Sequence, residues 1–484
     1  MVFAPSYVTY VLTENFEDAK RLFLPPLLSI NYAHLVMLAE CGIVPAPEAR
    51  ALREALDTIA GQDLASATFD GTFEDLFFYV DQLIADECGD EAAGRLRTAR
   101  SRNDIDMTMY RMRQREFVLG LLGATLSLRR VLLGLAERHR ETVFPAHTHT
   151  QLAQPTTIAH YLLAVVEQLE RDATRLRAAY ETTNRNPLGS CAITGTGFAI
   201  DRGITTDLLG FVAPTGNTYG SIAAVDYLLE NAAAAAVAMA GFGRFVQDLL
   251  LWSMTEFGYL RLADGFVQGS SIMPQKRNPV AIEHGRGIAS KALGQATAIL
   301  LSVHNTPFGD VVDLEDDLQP LVLSMFRDAA RAVKVVASAL ETAEFDVKRL
   351  GVRAGEGGTT MTELADTLVR EEGLDFGSAR EIACRVAAAR AASPEIGLGR
   401  VLADASRSVV GRPIDYAEAR LAEILDPRRF VEVRTTPGGP APSETVKALV
   451  ESGDRLADDQ RWAADARDAL TAAEARLRQR SGQL

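Results

Sequence analysis

Apolar residues recur at three- and four-residue intervals along most of this chain, the spacing that places them on one face of an α-helix. Helix interiors tolerate proline poorly. Four long spans contain no proline: 48–144, 156–186, 215–273 and 321–393. The two-residue alternation that is typical of strands is rare. The pattern therefore predicts an all-α fold. Its clearest run comprises Ile158, Leu162, Val165, Leu169, Ala173, Leu176 and Ala179.

The segment 221–252 is apolar almost all round, so a helix formed by it requires burial on every side. A helix of about 30 residues is about 45 Å long and extends beyond one compact core of about 150 residues. We therefore expect a long central bundle whose helices are covered by partner subunits. A monomeric bundle with a buried central helix is the alternative.

Three helical domains are predicted. Residues 1–107 form an N-terminal domain that ends in an arginine-rich turn, and residues 108–353 form a central domain of long helices. Residues 354–484 form a smaller C-terminal domain, which opens on Gly355, Gly357 and Gly358. Residues 434–443 are expected to be a loop before a charged terminal helix.

Composition fits a soluble globular protein, because 47% of the 484 residues are apolar and 24% are charged. The 50 basic and 64 acidic residues give a net charge of −14, which argues against nucleic-acid or membrane partners. No basic region precedes Glu14, so no secretory signal is expected. The most apolar stretch, 231–243, is shorter than the roughly 20 residues that span a bilayer. A cytoplasmic location is therefore predicted.

The four cysteines lie far apart without a CxxC pair, which favours reduced thiols over disulfides or a metal site. We expect them to be small buried packing residues. They are Cys41, Cys88, Cys191 and Cys384.

The segment 265–279, GFVQGSSIMPQKRNP, combines a glycine-serine turn with a lysine and an asparagine. Abstraction of a proton next to a carboxylate needs a base, and a cation with amide donors to stabilise the resulting dianion. A mobile loop with Ser270, Lys276 and Asn278 could supply these groups and close over a substrate. An ordinary connecting loop between helices is the alternative.

Two other segments carry polar residues of the same kind. Ser101, Arg102 and Asn103 follow Arg95, Arg97 and Arg100, which gives a local excess of positive charge in an acidic protein. Arg102 offers a bidentate fork for a carboxylate, and a solvated basic helix end is the alternative. The other segment is the HTHTQ run at 147–151.

The histidines within the HTHTQ run and shortly after it do not form a recognisable metal site. No cysteine or carboxylate spacing completes a zinc site with His147, His149 and His160, so a polar turn with one functional histidine is favoured. No phosphate loop, GxSxG motif or strand-flanked GxGxxG motif is present, and no nucleotide cofactor is expected.

Several motifs together resemble those of argininosuccinate lyases in the fumarase/aspartase superfamily. GSSIMPQKRNP is similar to the superfamily's signature loop, and TARSRND resembles the lyase's TGRSRND. HTHTQLAQPTT, NPLGSCAITGTGFAIDR, TELADTLV and PGGPAP follow in the same order as their counterparts. The resemblance implies an all-helical homotetramer with a core of about twenty helices. It also implies active sites built from three subunits, and elimination of fumarate from a succinyl-amine without cofactor or metal.

The resemblance also implies roles for individual residues. Ser270 would be the general base that takes the Cβ proton, and Lys276 would stabilise the resulting dianion. His149, supported by Glu283, would act at the leaving nitrogen or would support the charge that develops in the reaction. The residues that would bind the succinyl carboxylates and fix their geometry are Ser101, Arg102, Asn103, Thr148, Gln154, Ser271 and Asn278.

The sequence departs from the argininosuccinate lyase pattern where the arginine moiety should bind. The Tyr, Gln and distal Lys positions of a YNKDxQEDK-like stretch read Asp310, Glu315 and Leu318. The SDRD segment reads AAVD at 223–226, and WGGRF is absent near the N-terminus. Acidic groups reject a distal carboxylate, so we expect the leaving amine not to be arginine.

Several functions stay open at this point. The favoured one is a cofactor-independent carbon-nitrogen lyase that forms fumarate from an N-substituted L-aspartate. The alternatives are an authentic argininosuccinate lyase, a lyase for ethylenediamine-disuccinate or nitrosuccinate, and an inactive crystallin-like structural protein. An ethylenediamine-disuccinate substrate would need a further cation, for which Arg277 and Arg21 are candidates.

Overall fold

The computed structural model describes residues 3–393 and 395–484, so Met1, Val2 and Pro394 lie outside the described residues. Helices comprise 69% of the structure, which confirms the predicted all-α class. The helices follow in chain order, with a short π-helical turn at Val8–Leu12 between the first two.

The N-terminal helices are α1 (Pro5–Tyr7), α2 (Thr13–Glu40), α3 (Ala46–Ala60), α4 (Leu76–Cys88) and α5 (Asp90–Leu96). The middle of the chain forms α6 (Arg102–Arg138), α7 (Ile158–Thr183), α8 (Arg202–Leu208), α9 (Thr218–Ala223), α10 (Asp226–Ser253), α11 (Val280–Val303), α12 (Gln319–Glu341) and α13 (Val347–Ala354). The remaining helices are α14 (Met361–Glu372), α15 (Phe376–Ala392), α16 (Leu398–Val410), α17 (Glu418–Ile424), α18 (Pro427–Glu432) and α19 (Pro442–Ser481).

Short strands pair in two-stranded sheets between these helices. The hairpin of β1 (Val143–Thr148) and β2 (Gln151–Thr157) is antiparallel and joins α6 to α7. The other pairs are β3 (Arg185–Asn186) with β4 (Ala213–Pro214), and β5 (Leu260–Arg261) with β6 (Glu344–Phe345).

The long helices α6, α7, α10, α11 and α12 pack into a bundle around one large apolar cluster. A buried polar ladder crosses this bundle: Asn231 on α10 donates to Gln114 on α6 (3.0 Å) and to Thr183 on α7 (3.1 Å). Gln114 in turn donates to Gln319 on α12 at 3.1 Å. Because buried polar groups must find partners, this ladder favours one register of the helices.

The apolar segment that was expected to form one helix from Ser221 is interrupted. Ala224 has extended backbone angles, so α9 ends at Ala223 and α10 begins at Asp226. Val237 on α10 remains 47% exposed, so a single chain does not bury this helix on every side.

Three helical stretches are long and apolar enough to cross a membrane by length and composition alone: 5–40, 102–138 and 218–253. The apolar stretch 231–243, which was predicted to be too short to span a bilayer, lies within the third of these helical stretches. In each case most of the apolar window is buried within the protein, at 61–67%. Their apolar faces therefore serve helix packing.

Two further apolar clusters flank the bundle. One is built mainly from α2 to α5 and the start of α6, and the other from α14 to α17. Helix α6 runs through the predicted boundary at residue 107, and α19 returns to pack on α6 and α7. The division into 1–107, 108–353 and 354–484 stays a prediction.

The cysteines are free thiols, but the expectation that they are buried is wrong. Cys41, Cys88 and Cys191 are half-buried, and Cys384 is exposed. Their positions on helix and turn surfaces leave each of them in contact with solvent on one side.

Candidate active site

The TARSRND segment folds as the start of the longest central helix. Ser101 is the N-cap of α6, and it forms a reciprocal capping box with Asp104. The Ser101 hydroxyl also donates to Asn103 Oδ1 at 3.0 Å. A capped helix start fixes the directions of these polar side chains, because the first helical N–H groups lack partners within the helix.

Asp104 connects this helix start to a second motif. It is fully buried, and its Oδ2 accepts the backbone N–H groups of Gly189 and Cys191, both at 2.8 Å, while Oδ1 accepts that of Ser101 at 2.9 Å. Burial raises the pKa of Asp104 to about 6, against the lowering effect of the three N–H donors. The carboxylate thereby joins the TARSRND and NPLGSC segments.

The predicted excess of positive charge near this helix start is wrong, because carboxylates from distant segments neutralise the arginines. Arg95 pairs with Glu48, and Arg97 pairs with Asp81. Arg100 is half-buried and donates to the neutral Asn31 side chain at 2.5 Å.

Arg102 itself lies among carboxylates. Its Nη1 donates to Glu74 at 2.7 Å and to Asp75 at 3.0 Å, and its Nε lies 3.9 Å from Asp106. Burial raises the pKa of Asp75 and, together with the nearby Asp316, raises that of Asp106 well above its usual range. A substrate carboxylate at Arg102 would therefore compete with groups of the protein.

The loop between α11 and α12 brings more acidic groups to the same place. Asn103 donates to Asp310 Oδ2 at 2.6 Å, so the predicted substrate residue and the predicted leaving-group residue are in contact. Burial raises the pKa of Asp310, and burial followed by repulsion from Asp310 raises that of Glu315 to about 7. Tyr110 on α6 donates to Asp316 at 3.3 Å. These half-buried side chains form a cluster of carboxylates, which we call the acidic pocket.

The tip of the β1–β2 hairpin presents the HTHTQ run to solvent. Thr148 and His149 are exposed, and both His149 (φ 50°) and Thr150 (φ 62°) adopt the left-handed region that non-glycine residues seldom occupy. Such strain persists where surrounding structure imposes it, and it is found at ligand sites. Gln154 on β2 donates to Thr362 at 3.1 Å, at the start of α14.

The loop 267–279 folds as a narrow projection. Backbone hydrogen bonds between Gln268 and Asn278 close its base, at 2.8 and 3.0 Å. Ser270 Oγ, which is half-buried, accepts the backbone N–H groups of Ile272 (3.3 Å) and Met273 (3.1 Å). These donors favour negative charge on the oxygen.

The remaining predicted residues of this region surround that projection. Ser271 and Lys276 are exposed, and Asn278 is half-buried at the base. Glu283 is exposed in the first turn of α11. Arg277 pairs with Asp264 at 2.5 Å, so this candidate cation has a partner away from the acidic pocket. The other candidate, Arg21, pairs with Asp18 at 2.6 Å.

Three groups of predicted residues thus lie on three separate segments. The helix-start group, Arg102 and Asn103, is joined to Asp310 and Glu315 within one chain. Between the described residues of one chain, no hydrogen bond or ion pair links His149 to Glu283, or Ser270 to the helix start. The hairpin tip and the 267–279 loop both project into solvent.

Several residues of the acidic pocket were missed by sequence reasoning. Asp106 stands one helical turn after Arg102, a spacing that could have identified it. Asp316 lies next to Glu315 in the same run. Glu74 and Asp75 approach from 28 and 27 residues away, and no motif marks them.

The sequence of this chain is similar to a family model and to known lyases. The family model described as Lyase matches residues 36–294. Argininosuccinate lyase 2 of Agrobacterium fabrum is 39% identical over 450 residues, which cover 92% of this chain and 89% of that protein. Argininosuccinate lyase of Methanoculleus marisnigri is 37% identical over 456 residues, which cover 94% and 92%.

This chain also resembles solved structures of lyases along its whole length. A variant of EDDS lyase with bound fumarate has 30% sequence identity and a TM-score of 0.87, and the match covers 100% of this chain and 96% of that one. At this identity and coverage, the likeness extends over the helix start, the hairpin and the loop.

Proposed function

Because this chain belongs to the argininosuccinate lyase family of the fumarase/aspartase superfamily, we propose that it releases fumarate from an N-substituted L-aspartate whose amine is not arginine. Membership of this family already makes the chain a carbon-nitrogen lyase that generates fumarate. The proposed step breaks the bond between Cα and nitrogen and removes a proton from Cβ.

Ser270 is the proposed base for the Cβ proton. A serine hydroxyl is a weak base in water, so its oxygen must be stabilised as an alkoxide. The N–H groups of Ile272 and Met273 support this role, because both donate to Ser270 Oγ. Lys276 and Asn278 are proposed to stabilise the carboxylate that becomes a dianion when the proton leaves.

The other predicted residues orient the substrate. His149, paired with Glu283, is proposed to act at the leaving nitrogen. Arg102 forms a planar fork that suits a carboxylate. The remaining proposed contacts to the succinyl unit are Ser101, Asn103, Thr148, Gln154 and Ser271.

One observation carries the proposal about the leaving group: Asp310 and Glu315 lie together beside Asn103, which binds Asp310. Two acidic groups repel the carboxylate of an amino acid such as arginine and attract a cationic amine. An amine with no carboxylate at its far end therefore suits this pocket best.

Two other substrates have specific support. Identity of 39% and 37% to argininosuccinate lyases favours argininosuccinate as a second candidate. The match to EDDS lyase with bound fumarate favours ethylenediamine-disuccinate (EDDS), although Arg102, a cation beside the acidic pocket, already pairs with Glu74 and Asp75.

We also propose a homotetramer in the cytoplasm, with each active site shared between subunits. The separation of His149, Ser270 and Arg102 on three segments supports shared sites. Exposed apolar side chains on the long helices, such as Val237 and Leu301, support burial by other subunits. Sedimentation equilibrium tests the assembly, and a mass near 52.4 kDa would contradict it.

The function is tested by the ultraviolet absorbance of fumarate. The enzyme is mixed with argininosuccinate, adenylosuccinate, EDDS or nitrosuccinate, and fumarate is mixed with a panel of amines in the reverse direction. Turnover with a cationic amine that lacks a carboxylate supports the proposal, and rapid turnover of argininosuccinate contradicts it. A folded tetramer that is inactive with every compound would indicate a crystallin-like structural protein.

A further inference from the structure

A cavity of about 530 Å³ lies beneath the β1–β2 hairpin. Its sides are formed by α7 and α10, and one end is closed by Phe430 of α18 and by Arg434 and Pro440 of the segment that follows. A volume of this size accommodates a small organic molecule.

Aromatic side chains form much of the cavity wall. Trp252 on α10 meets Phe144 of β1 edge to face, with ring centroids 5.0 Å apart, and meets Tyr161 of α7 at 4.7 Å. Phe257 lines another side, next to His147. Faces of aromatic rings attract cations and apolar groups alike.

A carboxylate stands in this aromatic wall. The half-buried Asp248 accepts a hydrogen bond from the Tyr161 hydroxyl at 2.6 Å. Within residues 3–393 and 395–484, no basic side chain forms an ion pair with Asp248. Arg244, one turn earlier on α10, is exposed. A partly desolvated carboxylate without a cation favours a positively charged ligand.

The other polar groups that line the cavity do not offset this charge. Burial and the nearby Arg353 lower the pKa of His147, so its ring is neutral near pH 7. Both ring nitrogens of His160 are occupied, by Thr156 at 2.7 Å and by the Gly438 carbonyl at 3.0 Å.

Arg434, whose guanidinium contributes to the lining, is already neutralised. It donates to Glu363 at 2.8 Å and to the Phe430 carbonyl at 2.6 Å, and it stacks on the Phe430 ring. Asp248 therefore dominates the electrostatics of the cavity.

We infer that this cavity is a binding site for an organic ammonium compound with an apolar or aromatic body. The ammonium group pairs with Asp248, and the body packs against Trp252 and Phe144. Because His147 and Thr150 line the same cavity, the bound compound contacts both ends of the turn that carries Thr148 and His149. The inference does not depend on which substrate the enzyme uses.

Fluorescence of Trp252 tests this site in the full-length enzyme. The chain has two tryptophans, so a Trp462→Phe background leaves Trp252 as the only reporter. Phenethylammonium is the probe, and 2-phenylethanol is the neutral compound of matched shape. Asp248→Asn removes the charge, and Ala164→Phe narrows the cavity from an exposed lining position on α7.

We expect a saturable change in fluorescence with phenethylammonium. Binding should be about tenfold weaker for 2-phenylethanol and for Asp248→Asn, and it should be lost in Ala164→Phe. Glu315→Gln, which changes the acidic pocket instead, should leave it unchanged. Equal binding of the two probes, no effect of either cavity variant, or loss of binding in Glu315→Gln would overturn the inference.

Discussion

The Asp104 carboxylate accepts a 2.8 Å hydrogen bond from the backbone N–H of Cys191, which lies 87 residues further along the chain. The same oxygen binds Gly189, and the other oxygen binds Ser101. Asp104 thus acts as a positioning residue that holds two motif segments in register without being exposed to substrate.

We therefore expect Asp104→Asn to lower kcat much more than it changes KM. The amide group of asparagine cannot accept all three N–H bonds, which should also cost about 1–3 kcal/mol of unfolding free energy. Steady-state kinetics and urea unfolding measure the two effects, and the exposed Asp86→Asn on α4 is the control. Unchanged kcat in folded Asp104→Asn would remove the positioning role.

The same variant gives a prediction about pH. The pKa of Asp104 is raised from 3.8 to about 6 by burial, so the folded chain binds this proton more tightly than the unfolded chain. The stabilising contribution is complete below about pH 4 and is lost as pH rises through about 6. The stability advantage of the wild-type protein over Asp104→Asn should therefore shrink from pH 4 to pH 7. An advantage that grows with pH would mean that the N–H donors outweigh burial.

The acidic pocket predicts how amine binding depends on pH. Burial and repulsion from Asp310 raise the pKa of Glu315 to about 7, so Glu315 loses its charge as pH falls below that value. In the addition direction, KM for a cationic amine should rise below about pH 7, after correction for ionisation of the amine. Glu315→Gln should abolish this dependence, whereas Asp313→Asn in the same loop should retain it. A KM that is independent of pH in the wild-type enzyme would contradict the assigned pocket.

Ser270→Ala tests the proposed base. Loss of general-base catalysis should reduce turnover by about 10²- to 10⁴-fold. Fumarate binding by calorimetry and the oligomer mass should change little, because the side chain is small and half-buried. The exposed Ser290→Ala on α11 is the matched control. Wild-type turnover in Ser270→Ala would assign the proton abstraction to another group.

Attachment of α19 gives a stability prediction. Arg129 on α6 is fully buried and donates to Asp459 on α19 at 2.5 Å, and Arg177 on α7 donates to the same carboxylate at 2.9 Å. Asp459→Asn leaves a buried guanidinium without its main counter-charge, at a cost of about 3–5 kcal/mol. Thermal unfolding measures the loss, and the neighbouring exposed Asp458→Asn should change little. A comparable stability of the two variants would indicate that Glu170, 3.5 Å from Arg129, is a sufficient partner.

Much of this protein was predictable from its sequence. Helical periodicity identified α7 and the all-α class, because a 3.6-residue repeat is a local property of the chain. The motifs identified the family, and with it the lyase reaction, since GSSIMPQKRNP and TARSRND are contiguous in sequence. The inversion of charge at Asp310 and Glu315 was also visible without coordinates.

The surroundings of those motifs depend on how the chain folds. Arg102 was expected in a basic cluster, but folding brings Glu74 and Asp75 to its guanidinium and Asp310 to Asn103 across 207 residues. The cavity at Asp248 likewise forms only where α7, α10 and the β1–β2 hairpin pack together. The sequence determined helices and chemical groups, because these depend on neighbouring residues. Charge compensation and cavities depend on groups that are distant in the chain, so their positions follow from packing alone.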